Sequence, residues 1–234
     1  MFFRQLFDRT SCTYTYVLAD TATREAVIID PVDELIERDA QLLTEWGLTL
    51  THILETHMHA DHVTGGGLLR ERTGAKTVVG ANAGADCADV KADHGHRVRF
   101  GRHALEVRET PGHTSGCVTF VEHDAGMAFT GDALLVRGCG RTDFQQGSAT
   151  TLYASVHEQI LSLPDATRLF PAHDYKGRTM TTVAEEKSHN PRLGGDRTVE
   201  EFVEIMDNLG LADPKMLHIA VPANLACGER QTQT

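Results

Sequence analysis

The sequence predicts an α/β fold in which two β-sheets pack face to face between two layers of helices, an αββα sandwich. Short strand-like runs occur in two groups along the chain, and helical patterns follow each group. A doubly wound parallel sheet would instead alternate strands with helices along its whole length. The chain has 234 residues, 41% of them hydrophobic, which is enough for one sizeable core or two small ones.

The first group of elements precedes residue 81. β-Branched and aromatic runs at 13–19 and 25–30 flank a polar turn and predict a β-hairpin. Apolar residues recur at helical spacing between Glu34 and Trp46, and Gly47 ends the predicted helix. The remaining predictions are a strand at 51–55, a helix at 67–74 and a strand at 76–80.

The second group of elements occupies the rest of the chain. Four short strands separated by turn residues are predicted, at 97–100, 103–110, 117–123 and 127–131. Apolar spacing then predicts a helix over Ser148–Leu163, which a strand at 168–174 follows. The last predicted helix is Thr198–Leu209, where Thr198 and Glu201 have the spacing of a capping box.

Charge and composition restrict the classes of partner. The chain carries 22 Lys and Arg against 33 Asp and Glu, a formal net charge of −11. Such a surface repels phosphate backbones and anionic lipids, so neither a nucleic acid nor a membrane partner is expected. The N-terminus lacks a signal-peptide pattern, and no apolar run reaches the roughly 20 residues that span a bilayer. We therefore expect a cytoplasmic protein.

The cysteine pattern predicts reduced thiols. The chain has five cysteines, an odd number, and none of them form a Cys-x-x-Cys pair. A disulfide framework or a thiolate zinc finger fits this spacing poorly. The expectation covers all five positions: Cys12, Cys87, Cys117, Cys139 and Cys227.

The strongest functional signal is a cluster of histidines directly after the predicted strand at 51–55. The segment Thr56–His62 reads THMHADH and contains three imidazoles and one carboxylate. Alternate residues of an extended chain point the same way, so His57 and His59 can face one point. After a turn, Asp61 and His62 can face a second point nearby. Imidazole and carboxylate donors without thiolates suit zinc, iron or a similar divalent metal.

Three further candidate ligands lie where other predicted strands end. The segment PGHT contains His113, TGD contains Asp132 and PAHD contains His173. Loops at the ends of strands commonly carry the binding and catalytic residues of a β scaffold. We therefore expect these loops to meet the histidine segment in one metal site at a sheet edge.

These motifs carry a family resemblance. HMHADH, PGHTSG, TGDALL and PAHD, in this order, resemble the metallo-β-lactamase superfamily over residues 3–175. The resemblance implies the metallo-β-lactamase fold, with a metal site at one edge of an αββα sandwich. Hydrolases of the superfamily such as glyoxalase II hold two metals. Carried over to this chain, their ligands would be His57, His59 and His113 for one metal, Asp61, His62 and His173 for the other, and Asp132 as the bridge.

A closer resemblance covers residues 4–228. The segments GDALLVRGCGRTDFQQG, FPAHDYKGRT, NPRL and VPANLACG are similar to those of the persulfide dioxygenases, or sulfur dioxygenases. This implies one domain over residues 1–234, with a helical C-terminal extension from about residue 180. It also implies one Fe(II) per chain, held by His57, His113 and Asp132, a set that leaves open positions on iron. The other metal-motif residues, His59, Asp61, His62 and His173, would surround the iron or remain from a lost second site.

The resemblance further implies a reaction, in which glutathione persulfide, O2 and water give sulfite and glutathione. Arg141 would orient carboxylates near the metal or bind a glutathione carboxylate, unless it braces its own loop. Tyr175 would hydrogen-bond to the substrate, unless it only packs. Asp61 and Asp174 would fix histidine tautomers, unless they are ordinary solvated or turn-capping residues.

The main alternative is a dinuclear hydrolase of glutathione thioesters of the glyoxalase II kind, because the sequence contains both ligand sets. A non-enzymatic metal-binding module is disfavoured, because every candidate ligand is present. The dioxygenase reaction needs no protein nucleophile, so Cys139 and Cys227 are expected to be structural. The sequence leaves open a homodimer and the identity of the persulfide carrier.

Overall fold

The computed structural model describes residues 1–228 and places their strands in two six-stranded sheets. Sheet 1 consists, in spatial order, of Phe2–Phe7 (β1), Tyr14–Ala19 (β2), Glu25–Ile29 (β3), Thr49–Leu54 (β4), Lys76–Gly80 (β5) and Val90–Ala92 (β6). Strands β1 to β3 pair antiparallel and β3 to β6 pair parallel. The carboxyl ends of β3 and β4 therefore lie at the same edge.

Sheet 2 faces sheet 1. Its strands are Arg97–Phe100 (β7), His103–Glu109 (β8), Val118–Glu122 (β9), Met127–Gly131 (β10), Arg168–Pro171 (β11) and Thr181–Thr182 (β12), in the spatial order β12-β11-β10-β9-β8-β7. Only β10 and β11 pair parallel, so their carboxyl ends also share an edge. The other neighbours in this sheet pair antiparallel.

Helices cover the outer faces. They are Ile36–Glu45 (α1), Gly66–Thr73 (α2), Ala149–Ser155 (α3), Val183–His189 (α4), Val199–Asp207 (α5) and Leu217–Leu225 (α6). Helix α3 continues in a π-helical turn over Val156–Ile160, so the helix predicted from Ser148 to Leu163 is present in two parts. Among the described residues, no helix has both the length and the apolar character needed to cross a membrane.

Three apolar layers hold the sandwich together. Aromatic side chains fill the space between the sheets, including Tyr16, Phe100, Phe120 and Phe129, all at most 1% exposed. A second cluster joins the outer face of sheet 1 to α1 and α2, and a third joins the outer face of sheet 2 to α3 and α5. Burial of these three layers is the main stabilising contribution. The predicted αββα sandwich is confirmed.

The structure adds elements that periodicity did not predict: β1, β6, β12, α4 and α6. The two helices lie in the extension that the resemblance implies to be helical. Strand β1 lies at the edge of sheet 1 and owes its shape to pairing with β2. Helix α6 contains Pro222, which removes one helical N–H and argues against a helix in isolation. Helix α4 begins with a capping box between Thr182 and Glu185, a signal that could have been found in the sequence.

The expectation of five reduced cysteines is wrong. Cys87 and Cys227 form a disulfide across 140 residues of chain, while Cys12, Cys117 and Cys139 are free. The sequence did not indicate this pair because its partners meet only when the end of α6 reaches the loop between β5 and β6. Cys227 therefore has a structural role, as expected, but as a disulfide. Burial raises the pKa of Cys139 to about 11, which keeps that thiol protonated.

Candidate metal centre

The loops that carry the predicted ligands meet at one edge of the sandwich. Asp30 follows β3, His57 follows β4, and Asp132 and His173 follow β10 and β11, the parallel pair of sheet 2. His113 comes from the loop that leaves β8. The carboxyl ends of parallel strands share an edge, so residues from distant parts of the chain are brought together there.

His57, His113 and Asp132, here called the three-donor cluster, can each offer one ligand atom. Those atoms lie within 4.8 Å of one another. Nε2 of His113 lies 3.8 Å from Oδ2 of Asp132, and the rings of His57 and His113 have centroids 4.9 Å apart. Two imidazoles and one carboxylate form the ligand set that mononuclear iron enzymes use. The three residues that the resemblance implies as ligands therefore lie around one point.

A backbone carbonyl orients His113. Its Nδ1 lies 2.6 Å from the carbonyl oxygen of Arg141, which can only accept, so Nδ1 carries the proton and donates. Nε2 then has a free lone pair for a metal. Gly140 makes this contact sterically feasible, because a Cβ on Gly140 would lie 2.7 Å from Nδ1 of His113.

A side-chain relay orients His57. The Thr56 hydroxyl donates to Oδ2 of Asp30 at 2.8 Å and accepts from Nδ1 of His57 at 3.0 Å. The backbone N–H of Thr56 donates to the other Asp30 oxygen at 2.7 Å. Because Nδ1 donates, Nε2 of His57 is the nitrogen with a free lone pair.

The pKa shifts of His57 and Asp132 keep these two residues in the protonation states that bind a metal. Burial, reinforced by His59, holds the pKa of His57 well below its usual value, so the ring is neutral. Burial opposes the charge of Asp132, but His173 outweighs it and holds the pKa of Asp132 below the usual range. A neutral imidazole and an ionised carboxylate are the ligating forms.

The surroundings also fit a cation. Three buried ring nitrogens near the three-donor cluster, Nδ1 and Nε2 of His59 and Nε2 of His62, have no hydrogen-bond partner. Buried polar atoms nearly always have one, and unpaired nitrogens are what a polar pocket for an ion presents. The donor set, its protonation and these nitrogens together fit a divalent metal.

His59, Asp61, His62 and His173, here called the four-donor cluster, lie beside the first and also come within 4.8 Å of one another. His173 is bonded on both sides. Its Nδ1 lies 2.7 Å from Oδ1 of Asp132, and its Nε2 lies 3.0 Å from Oδ2 of Asp61. Burial disfavours a charged His173, but Asp132 and Asp61 outweigh it and raise its pKa well above the usual value.

Thr13 is a member of this region that the sequence did not indicate. Its hydroxyl oxygen lies 3.0 Å from Nε2 of His173, 3.3 Å from Nδ1 of His62 and 3.4 Å from Oδ2 of Asp61. Ser11 Oγ lies 2.6 Å away on the other side and itself donates to Asp8. Thr13 therefore donates to Ser11 and turns its lone pairs to the histidines. A threonine in a β-branched run offers no sequence signal for such a role.

The other predicted site residues take different positions. The Arg141 guanidinium binds Asp143 and the carbonyl oxygens of Leu211 and Ala212, so the side chain braces its loop against the C-terminal segment. Tyr175 is 69% exposed, and its ring stacks parallel to that of His173 with centroids 6.3 Å apart. It thus lies at the surface next to the four-donor cluster.

Asp174 is buried, but its carboxylate does not reach a histidine. Its two oxygens accept from the backbone N–H groups of Lys176 and Arg178 and from the Arg178 guanidinium. Asp174 therefore shapes the turn after His173. Asp61, the other residue expected to fix histidine tautomers, does contact His62 and His173.

Comparison with known proteins places the chain in a family. Residues 10–173 match the model of the metallo-beta-lactamase superfamily. The mitochondrial persulfide dioxygenase ETHE1 of Mus musculus is 57% identical over 226 residues, covering 96% of this chain and 88% of the relative. A hydroxyacylglutathione hydrolase of Cereibacter sphaeroides is 36% identical, covering 78% of this chain and 71% of that protein.

A solved structure supports the same placement. The crystal structure of ETHE1 from Myxococcus xanthus matches with a TM-score of 0.95 and 55% identity, covering 98% of this chain and 100% of that one. The similarity in sequence and in backbone extends well beyond residues 10–173, into the C-terminal helices. The chain therefore belongs to the metallo-beta-lactamase superfamily and, within it, to the persulfide dioxygenases.

Proposed function

We propose that this protein is an iron-dependent persulfide dioxygenase that converts glutathione persulfide, O2 and water to sulfite and glutathione. The observation that carries the proposal is the three-donor cluster, in a chain 57% identical to a persulfide dioxygenase. The superfamily and the His/Asp cluster support a metal. Iron as that metal, and glutathione as the persulfide carrier, are part of the proposal.

The metal would be held by His57, His113 and Asp132. Ferrous iron, when bound, supplies the redox chemistry by which O2 oxidises the terminal sulfur of a persulfide. The protein fixes the donors: Arg141 through its carbonyl oxygen, and Asp30 through Thr56, keep Nε2 of each histidine free. His173 holds one oxygen of Asp132, leaving the other for the metal.

Three flanking residues have proposed positioning or binding roles. Tyr175 presents an exposed ring beside His173, where it can contact the glutathione portion of the substrate. The Arg141 side chain, which is bound to Asp143, holds the loop whose carbonyl orients His113. Asp174 fixes the turn that presents Tyr175.

A dinuclear glutathione thioester hydrolase is the second candidate, because the four-donor cluster retains every residue that a second metal would use. One observation weighs against it. Both ring nitrogens of His173 already face oxygen acceptors, and a ring that donates from both nitrogens has no lone pair for a metal.

Metal analysis combined with turnover separates the two candidates. Protein purified anaerobically should contain about one iron per chain, consume O2 when glutathione persulfide is added, and release sulfite. Two zinc ions per chain with hydrolysis of S-lactoylglutathione, and no O2 consumption with persulfide, would overturn the proposal. Oxygen-electrode traces with and without a ferrous chelator provide the control.

The cytoplasmic location stays a prediction from the sequence, and so does the possible homodimer. The mouse relative is described as mitochondrial. Reduced thiols would suit a cytosolic protein, and the Cys87–Cys227 disulfide contradicts that expectation of reduced thiols. Fractionation of cells that express the tagged full-length chain is the direct test of location.

A further inference from the structure

The C-terminal helix α6 contacts the metal-binding loop, although it lies outside the part of the chain that the superfamily model matches, residues 10–173. The contact is made by Asn224, near the end of α6, which is 2% exposed. Asn224 is at least 160 positions away in sequence from the loop residues that it binds. The sequence alone therefore gives no reason to connect the two.

Asn224 uses its whole amide group on the loop. Its Nδ2 donates to the carbonyl oxygens of His59 and His62, at 2.9 Å each. Its Oδ1 accepts from the backbone N–H of Thr64 at 2.8 Å. Two carbonyls on one side and one N–H on the other allow only one orientation of the amide. These hydrogen bonds span residues 59–64, which follow His57 by two positions.

The loop needs such a partner because it has no regular structure of its own. Residues 55–65 lie between β4 and α2, so their backbone groups are not paired in a helix or a continuous strand ladder. A buried backbone carbonyl without a partner costs free energy comparable to a lost hydrogen bond. Asn224 supplies partners for two such carbonyls and thereby limits the conformations of the loop.

The end of α6 is itself held closely against this region. A Cβ on Gly67 would lie 2.4 Å from the carbonyl oxygen of Cys227, and a Cβ on Gly228 would lie 2.5 Å from that of Thr64. Both glycines therefore permit a backbone approach that a side chain would prevent. The Cys87–Cys227 disulfide anchors the same end of α6 to the loop after β5.

We propose that Asn224 is a positioning residue for the metal centre: from α6 it fixes the backbone at His59 and His62 and so holds His57 in place to bind the metal. The proposal rests on the assignment of His57 as a ligand under the proposed function. It gives the C-terminal extension a specific task, which is to complete the metal site rather than only to cover the sandwich.

Metal release measures this role directly. Wild-type protein and the Asn224→Ala and Asn224→Asp variants, each loaded with Zn²⁺, are mixed with a chromogenic chelator and the release rate is followed. Loss of partners that orient a metal site typically weakens metal affinity about 10- to 100-fold, so we expect release at least about tenfold faster in both variants. Asn224→Asp keeps the acceptor for Thr64 N–H but loses the two amide donors to the loop carbonyls.

A matched core variant separates positioning from general loss of stability. Leu163→Ala removes a buried side chain that precedes β11, whereas the ligand loops follow the strands. The proposal requires that Leu163→Ala release Zn²⁺ at the wild-type rate even where it lowers the thermal midpoint as much as Asn224→Ala. Hydrogen exchange should be faster over residues 57–64 in the Asn224 variants only.

Equal release rates in Asn224→Ala, Leu163→Ala and wild type would overturn the proposal, as would unchanged hydrogen exchange in the loop. The outcome does not depend on which metal is native, because Zn²⁺ is the probe throughout. Failure of the dioxygenase assignment would appear separately, in the metal content and O2 consumption of the wild-type protein.

Discussion

The two clusters at the edge of the sandwich contain the same kinds of donor but differ in what surrounds them. In the three-donor cluster, the Nδ1 atoms of both histidines donate to protein oxygens, so both Nε2 atoms keep free lone pairs. In the four-donor cluster, His173 meets a carboxylate at each nitrogen, and Thr13 lies among its neighbours. Ligand capacity is thus decided by hydrogen bonds and not by residue type.

This difference favours a metal at the three-donor cluster, as proposed above. Every residue that a dinuclear site needs is present, yet one of the second group, His173, is already bonded within the protein at both ring nitrogens. The comparison predicts that substitutions in the three-donor cluster and its orienting groups remove the metal, while substitutions in the four-donor cluster leave the first metal in place.

The largest effect is expected for Asp132→Ala. The change removes a proposed ligand and also the Oδ1 contact to His173. Metal affinity should fall by more than about 100-fold, beyond the range for loss of an orienting partner, and persulfide-dependent O2 uptake should stop. Competition against a calibrated chelator measures the affinity. Asp174→Asn is the control, because Asp174 is buried in a neighbouring loop but binds only the following turn.

A smaller effect is expected for Thr56→Val. Valine lacks the hydroxyl that accepts from His57 Nδ1 and donates to Asp30, so the ring loses the partner that sets its tautomer. Metal affinity should fall about 10- to 100-fold. Thr56→Ser keeps the hydroxyl and should restore most of the affinity. If both variants bound metal as wild type does, the relay would have no part in orienting His57.

Thr13→Val tests the four-donor cluster. Without its hydroxyl, the four-donor cluster loses the oxygen that contacts His62, Asp61 and His173. The first metal should stay bound, and in excess zinc the content should stay at about one metal per chain, because Asp132 and Asp61 still hold both ring nitrogens of His173. Elemental analysis after gel filtration gives the ratio. Thr119→Val, which removes another buried hydroxyl bonded to Thr110, should leave it unchanged.

The smallest effect is expected for His59→Ala. In the one-metal arrangement His59 is not a ligand, and its ring nitrogens have no hydrogen-bond partner. Iron content should stay close to wild type, with any change in affinity below the about tenfold that marks loss of an orienting partner. Iron loss as severe as that of Asp132→Ala would show that the three-ligand assignment is incorrect.

The sequence predicted the fold class and the location of the site because both depend on local signals. Strand and helix periodicity report which faces are buried, and ligands after strand ends identify the edge where parallel strands finish. All seven candidate donors could be found in this way, whereas the choice of His57, His113 and Asp132 among them rested on the resemblance to the persulfide dioxygenases. Asp30 also follows a strand end, so the same rule could have selected it.

Other features could not be read from local patterns. Thr13 and Asn224 reach the site from β-branched and helical segments whose local sequence has no bearing on metal binding. The Cys87–Cys227 pair needs α6 to return to β5, and α6 contains a proline that argues against a helix. Arg141 was selected for its charge, yet its carbonyl oxygen makes the contact to His113.

By itself, the sequence determined the donor types, their places at strand ends and the αββα layering, because these follow from side-chain chemistry and hydrophobic periodicity. The tertiary structure decided which donors keep free lone pairs and which are bonded within the protein. That decision depends on contacts such as Thr13 to His173 and Arg141 to His113, and the loop that carries the donors is fixed in addition by Asn224 at the carbonyl of His62. Hydrogen-bond partners of this kind exist only after the sheets and α6 have packed.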